Sequence, residues 1–331
     1  MRAAVMGLGS WGTAFGMVLA DAGNEVVLWG RDAELAATVN ESHENPRFHP
    51  GITLPSQLRA TADPTSALDD AELVVLAVPA QTLRANLTNW QQSLASNCRV
   101  VSLLKGLEIG TLARMSEVIS EVAAVDAHRV AVISGPNLAR EVALKQPTAS
   151  VVACAVPEVA ELIQRTCQTA YFRPYTNTDV VGVELGGVVK NIIALATGMA
   201  QGMGFGDNSK AAIITRGLAE MTRLGVAMGA NPMTFMGLAG IGDLVATCSS
   251  PLSRNRTFGE NLGRGMSLAE AVAATSQTAE GVTSSSAVLE LGSKHGVDMP
   301  ITAHVAGVVH DGRSPRDMVQ SLMSRVAKPE W

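Results

Sequence analysis

Six short apolar runs punctuate the first 156 residues, and between them the chain keeps returning to helical spacing. The runs are 2–6 (RAAVM), 25–29 (EVVLW), 71–79 (AELVVLAVP), 99–104 (RVVSLL), 129–136 (RVAVISGP) and 150–156 (SVVACAV). Continuous apolar strands must be covered on both faces, and strands separated by helices pair in parallel. The pattern therefore predicts a doubly wound, mainly parallel α/β sheet, with its ligand across the carboxyl ends of the strands.

The junction between the first run and the first helical stretch reads Gly7-x-Gly9-x-x-Gly12. In that strand–turn–helix context the three glycines serve three needs, namely a tight turn, backbone approach to a pyrophosphate, and close helix–strand packing. The helix start then offers free N–H groups and partial positive charge to phosphates. The same residues superficially resemble a targeting peptide, but the glycines break the apolar helix that one requires, and a strand follows at once. The end of the second run carries Gly30-Arg31-Asp32 in place of the usual ribose-binding acid. Arg31 can lie against an adenine and pair with a 2′-phosphate, or it can be a solvated loop arginine. The expected cofactor is NADP(H) and/or NAD(H).

Beyond 171–182 the strands stop and helical patterns take over, at 182–203, 207–229, 232–247, 254–264, 267–276, 281–295 and 301–310. The expectation is an NAD(P)-binding domain over 1–181 and an all-helical substrate-binding domain over 182–331. A chain of 331 residues with 47% hydrophobic and 17% charged residues suits such a globular enzyme. A net charge of -5 gives nucleic acid and anionic membranes no general positive field to meet. The apolar stretch near 180–204 carries Glu184 and Lys190 in its middle, so no membrane span is expected. Cys98, Cys154, Cys167 and Cys248 lack paired spacing and read as buried thiols in a reducing cytoplasm. None of the six His has a partner at ligand spacing, so no metal site is expected.

Some polar residues sit where packing alone would not put them. Lys190 lies one helical turn from Gly186, Gly187, Ile193 and Ala194. Desolvation there lowers a lysine's pKa and suits it to acid–base work, the alternative being a snorkelling surface lysine. Lys105 and the group Gly135, Pro136 and Asn137 follow strands at the ligand-binding edge, as site members or ordinary loop residues. Asp243 is a carboxylate isolated among Gly, Leu and Val, so it needs a cationic partner, for which Lys190 is the candidate. Ser253-Arg254-Asn255-Arg256 precedes a helix with donors suited to a phosphate, or forms a solvated basic loop.

Together the segments GLGSWGTA, LLKGLE, SGPNLAREV, ELGGVVKNIIALATGMAQGMGFGDNSKAAIITRGLAEM, GLAGIGDLVATCSSPLSRNRTFG and AEGV closely resemble the bacterial NAD(P)-dependent glycerol-3-phosphate dehydrogenases. The resemblance implies a Rossmann domain, an all-α domain like the carboxyl-terminal one of 6-phosphogluconate dehydrogenase, a cytoplasmic location and a homodimer. It also implies interconversion of dihydroxyacetone phosphate and sn-glycerol 3-phosphate, which supplies glycerophospholipid synthesis. By motif position, Lys190 looks like the proton donor and acceptor, with Asp243 and Lys105 orienting it. Lys105, Gly135, Asn137, Lys190, Asp243, Ser253, Arg254 and Asn255 look like the substrate site. Gly7, Gly9, Ser10, Trp11, Gly12, Arg31, Lys105, Ala139, Arg254 and Glu280 look like cofactor contacts. Asn137 stands where the family commonly has Ser or Thr, Arg140 where it has Lys, and Arg31 where it often has His. Two rivals remain: a two-domain hydroxy-acid or ketopantoate-type reductase, and a non-catalytic NAD(P)H sensor.

Overall fold

The computed structural model describes residues 1–275 and 279–324. Eight strands form one sheet: β1 (Arg2–Met6), β2 (Glu25–Trp29), β3 (Arg59–Thr61), β4 (Leu73–Leu76), β5 (Arg99–Ser102), β6 (Val130–Ser134), β7 (Thr148–Ala153) and β8 (Phe172–Asn177). Their order is β3-β2-β1-β4-β5-β6-β7-β8, and all neighbours are parallel except β6 and β7. The helices between them are α1 (Ser10–Asp21), α2 (Ala33–Ser42), α3 (Pro64–Leu68), α4 (Leu83–Trp90), α5 (Met115–Ala123), α6 (Ala139–Ala143) and α7 (Pro157–Cys167).

Alternate residues of the central strands feed two cores. Ala3, Val5, Leu73, Val75 and Val101 face the helices α1 and α7, while Ala4, Met6, Val74, Leu76 and Val100 face α3, α4 and α5. Both faces of the sheet are thus covered, as a parallel sheet requires. This is a Rossmann fold, and the strand order reverses at β1 and β4, the place at whose carboxyl edge such sheets bind their ligands. Two strands, the short β3 and the six-residue β8, extend the edges beyond the six apolar runs, and the runs 71–79 and 129–136 continue past their strands into edge loops.

From Val180 onward the described chain is helical: α8 (Val180–Gly202), α9 (Asp207–Ala227), α10 (Pro232–Phe235), α11 (Asp243–Ser249), α12 (Arg254–Gly263), α13 (Leu268–Ala273), α14 (Glu280–Lys294), α15 (Pro300–Asp311) and α16 (Pro315–Met323). The helix expected over 232–247 is broken into α10, a π-turn at Leu238–Gly242 and α11. The stretch expected over 267–276 forms α13, and Ser276 lies outside the described residues.

α8 is the axis of this half. Every residue from Gly182 to Ala200 is buried, because its first turns pack on β6 and β7 and the other helices cover the rest. It alone among the described helices is long and apolar enough to cross a membrane, and 89% of its apolar window is buried inside the protein, as in a core helix. Helix α12 crosses it at backbone contact. A Cβ on Gly198 would lie 2.0 Å from the Arg256 carbonyl oxygen, and one on Gly259 would lie 2.1 Å from that of Leu195. Leu107 and Leu112, from the segment after β5, belong to the same helical core.

Candidate active site

Four loops leave the carboxyl edge of the sheet side by side, after β1, β4, β5 and β6. The first is the glycine turn. Gly7 has φ +149°, and a Cβ there would lie 2.3 Å from the Ala77 carbonyl oxygen; one on Gly12 would lie 1.9 Å from that of Gly7. A Cβ on Gly9 would meet nothing within 4 Å, so the space above the turn is open. Helix α1 starts there without a side-chain cap and without an acid in its first turn, so its free N–H groups suit an anion. The residues present therefore fit a dinucleotide pyrophosphate. Ser10 opens α1, and Trp11 packs on Phe15 with its Nε1 buried and without a hydrogen-bond partner among the described residues.

Arg31 is exposed just beyond β2. Asp32 beside it is occupied as the cap of α2, accepting from the Leu35 N–H at 3.0 Å, and it also meets Arg47 at 3.5 Å. Ala139 begins α6, partly buried against the core that contains α1.

The loops after β5 and β6 meet α8 and α11 around one carboxylate. Lys105 donates to Asp243 Oδ2 at 2.7 Å, to Asn137 Oδ1 at 3.0 Å and to the Gly135 carbonyl at 3.4 Å. Lys190 donates to Asp243 Oδ1 and, at 2.8 Å, to Thr247 Oγ1. Local sequence explains the convergence. A Cβ on Gly186 would lie 2.3 Å from the Ala239 carbonyl oxygen, and one on Gly187 3.3 Å from Lys105 Cγ. The glycine pair thus admits the π-turn on one side and Lys105 on the other. The π-turn, closed by the Gly242 N–H on the Gly237 carbonyl at 3.2 Å, brings Asp243 in as the first residue of α11. Such turns recur at functional sites.

The cluster is dry: Lys190 and Asp243 are buried, and Lys105 is largely so. Burial pulls the Lys190 ammonium below its usual range, Asp243 opposes that shift and Lys105 adds to it. Burial alone would push the Asp243 carboxyl up, but Lys105 and Lys190 hold it below its usual value. Asn137 Nδ2 is a buried donor without a partner among the described residues, next to the three charges.

The basic stretch reaches this cluster through Asn191, the neighbour of Lys190. Ser253 caps α12 by accepting from the Arg256 N–H at 3.3 Å, and Arg254 is the first residue of that helix, with an exposed side chain. Asn255 donates to Asn191 Oδ1 at 3.0 Å and accepts from the Gly281 N–H at 2.9 Å. One of its N–H bonds is therefore engaged by α8 and its carbonyl by α14, which leaves its second N–H for a ligand. Glu280 opens α14, and the charge of Arg254 acts on its carboxyl. Burial raises its pKa, against the pull of Arg254, Lys105 and Lys190.

Thr247 is the site residue that inspection of the sequence passes over. It lies four residues after Asp243, on the same helix face, and that spacing is the signal. Glu184 is a second. Buried on α8, it accepts from Arg114 at 2.6 Å and from the Ser116 N–H and hydroxyl at 2.8 and 2.6 Å, which ties the start of α5 to α8.

The model for the NAD-dependent glycerol-3-phosphate dehydrogenase N-terminus matches residues 2–160, and that for the C-terminus matches 179–320. The chain is 63% identical over 330 residues to a glycerol-3-phosphate dehydrogenase [NAD(P)+] of Streptomyces avermitilis, covering 100% of this chain and 98% of the relative. A relative of the same name from Thermobifida fusca is 60% identical over 330 residues, covering 99% of this chain and 98% of its own length. The crystal structure of the Coxiella burnetii glycerol-3-phosphate dehydrogenase superposes with a TM-score of 0.92 at 38% identity, covering 98% of both chains. With both halves matched and the resemblance running the length of the chain, this protein belongs to the NAD-dependent glycerol-3-phosphate dehydrogenase family.

Proposed function

We propose that this chain interconverts dihydroxyacetone phosphate and sn-glycerol 3-phosphate with NAD(P)H and NAD(P)+. The observation that carries the reading is the buried Lys105–Asp243–Lys190 cluster at the carboxyl edge of a dinucleotide-binding sheet. When bound at the glycine turn, the reduced nicotinamide supplies the hydride for the C2 carbonyl. The chain's own residues do the rest.

An ammonium has three N–H bonds. Lys105 commits its three to Asp243, Asn137 and Gly135, whereas Lys190 commits two, to Asp243 and Thr247. Lys190 is therefore the group with a proton to offer the C2 oxygen, and in glycerol 3-phosphate oxidation it takes that proton back. Asp243 holds Lys190 in place, and Lys105 keeps Asp243 ionised after Lys190 becomes neutral. Arg254, Ser253 and the first turn of α12 hold the phosphate, with the remaining Asn255 N–H and the Asn137 amide at its flanks. The Asn191–Asn255 hydrogen bond fixes the distance between this anchor and Lys190, so the phosphate aligns the ketone.

Gly7, Gly9, Ser10, Trp11, Gly12, Ala139 and Glu280 are assigned to the cofactor, and Arg31 to its adenine end. Residues 1–181 form the cofactor unit in this reading, and 182–331 the substrate unit. Family resemblance supports a cytoplasmic homodimer that supplies glycerol 3-phosphate for glycerophospholipids.

The test follows the absorbance of the reduced nicotinamide with purified protein and dihydroxyacetone phosphate, with NADPH and NADH in parallel and unphosphorylated dihydroxyacetone as control. Turnover that requires the phosphate is expected. Cofactor binding with no turnover would favour a sensor, and turnover of hydroxy acids or ketopantoate instead would favour the other reductases.

A further inference from the structure

Behind the glycine turn lies a loop that neither the cofactor nor the substrate explains. Residues 43–54 (HENPRFHPGITL) leave α2 and return beside their own start. The Leu54 N–H donates to the His43 carbonyl at 2.7 Å, and Glu44 pairs with Thr53. This is a compact Ω-type loop, anchored by Ile52 and Leu54 in the core beneath α1. Its two polar interior residues, Asn45 and His49, are both 0% exposed. Both point at the backbone of the glycine turn. Asn45 Nδ2 donates to the Leu8 carbonyl at 3.2 Å and to Thr13 Oγ1 at 2.9 Å. His49 Nε2 lies 2.7 Å from the Ser10 carbonyl.

We propose that Asn45 and His49 are positioning residues for the dinucleotide, holding the carbonyl side of the glycine turn so that its N–H side faces the pyrophosphate. A turn that aims its N–H groups outward at an anion sends its carbonyls inward, where each needs a donor. The Gly9 carbonyl has a donor from within α1, the Thr13 N–H at 2.9 Å, and those of Leu8 and Ser10 have donors from outside the turn. Asn45 and His49 supply them from the neighbouring loop. A carbonyl only accepts, so His49 carries its proton on Nε2, and its Nδ1 is buried without a partner among the described residues. Burial lowers the His49 pKa, the Ser10 bond opposes that shift and Arg140 adds to it, which favours the neutral ring with one directed donor. A glycine-rich turn released from these bonds samples other conformations, and the cofactor must then order it on binding.

The inference rests on reading Gly7–Gly12 as the cofactor cradle, and direct binding separates the two. NADPH and NADH are each titrated by nicotinamide fluorescence against the wild type, His49→Leu, His49→Gln and Asn45→Ala, alongside steady-state kinetics and melting curves. His49→Leu and Asn45→Ala should weaken both dinucleotides alike, by about three- to tenfold, with kcat and the KM for dihydroxyacetone phosphate within about twofold of wild type. His49→Gln, whose amide N–H can reach the Ser10 carbonyl, should recover most of the loss. Unchanged affinities would overturn the proposal. So would a loss confined to NADPH, which would put the effect on Arg47 and Phe48 of the same loop and on the 2′-phosphate. A fall in kcat and melting temperature together, not rescued by Gln, would reduce both residues to scaffold. A wild type that binds neither dinucleotide would overturn the cradle itself. If it binds them without reducing dihydroxyacetone phosphate, the proposed reaction fails while the binding comparison still decides the role of the loop.

Discussion

A buried ammonium has three N–H bonds to place, and in Lys190 two of them go to Asp243 and Thr247. Replacing it with an uncharged side chain of similar length keeps the packing and removes the proton. Lys190→Met should therefore lose about 10²–10⁴-fold in kcat while its dissociation constant for NADPH, read by fluorescence, stays near wild type. Near-normal turnover would remove Lys190 from the role. Its lowered pKa also gives the reaction a signed pH dependence. Ketone reduction uses the ammonium, so its rate should fall with rising pH below the range of an ordinary lysine, whereas glycerol 3-phosphate oxidation should rise over the same span. At this scale the sequence shows Lys105, Lys190 and Asp243, because charges among small apolar residues stand out. Thr247 and Glu184 do not stand out, since a threonine in a helix and a glutamate near a helix start need no special explanation until their partners are seen. Asn255 stands out as a phosphate ligand, yet much of its amide joins α8 to α14.

The elements around α8 owe their positions to small residues. Gly198 and Gly202 on α8 meet Gly259 and Gly263 on α12, with each missing Cβ within 2.2 Å of a carbonyl oxygen on the other helix. No rotamer change relieves such a contact, because the obstacle is backbone. Gly198→Ala should force the helices apart, costing about 1–3 kcal/mol by urea denaturation. It should also raise the KM for dihydroxyacetone phosphate more than that for NADPH, since α12 carries Arg254 and the glycine turn lies elsewhere. An unchanged substrate KM would mean that the crossing does not set the phosphate anchor. Long amphipathic or apolar segments are legible in the sequence to within a few residues, as with 182–203 against Val180–Gly202. The edge strands β3 and β8 are not, because the three residues of β3 carry no period and FRPYTN has too few apolar residues to mark a strand. The π-turn is invisible for a different reason: the two glycines of LAGIG weaken a helix without dictating how it breaks, and only the close approach of Gly186 and Asp243's contacts reveal it.

For the whole molecule, one buried acid outside the site makes stability depend on pH. Glu220 on α9 is 0% exposed and accepts from the Ile301 N–H and from the Thr302 N–H and hydroxyl at the start of α15. Burial pushes its carboxyl from 4.5 up to about 7, against those donors and Arg223. The folded state then binds more protons than the unfolded one between these values, so stability is fully present below 4.5 and falls as pH rises through about 7. Relative to Glu220→Gln, the wild type should lose up to about 3 kcal/mol of unfolding free energy between acid and mildly alkaline pH. Parallel urea curves for the two proteins at both pH values would contradict this.

The two leucines that the β5 loop lends to the helical core impose an order on the protein's birth. As the chain leaves the ribosome, strands β1 to β6 can begin to pair while Leu107 and Leu112 still have no core to enter. Their partners run from Leu185 to Val309, and at ordinary rates of synthesis the last of these emerges on the order of ten seconds after Leu112. Through that interval the two side chains have no helical core to enter. Helices α8, α11 and α12, translated after the sheet, thus complete a site whose first wall was made at residue 7.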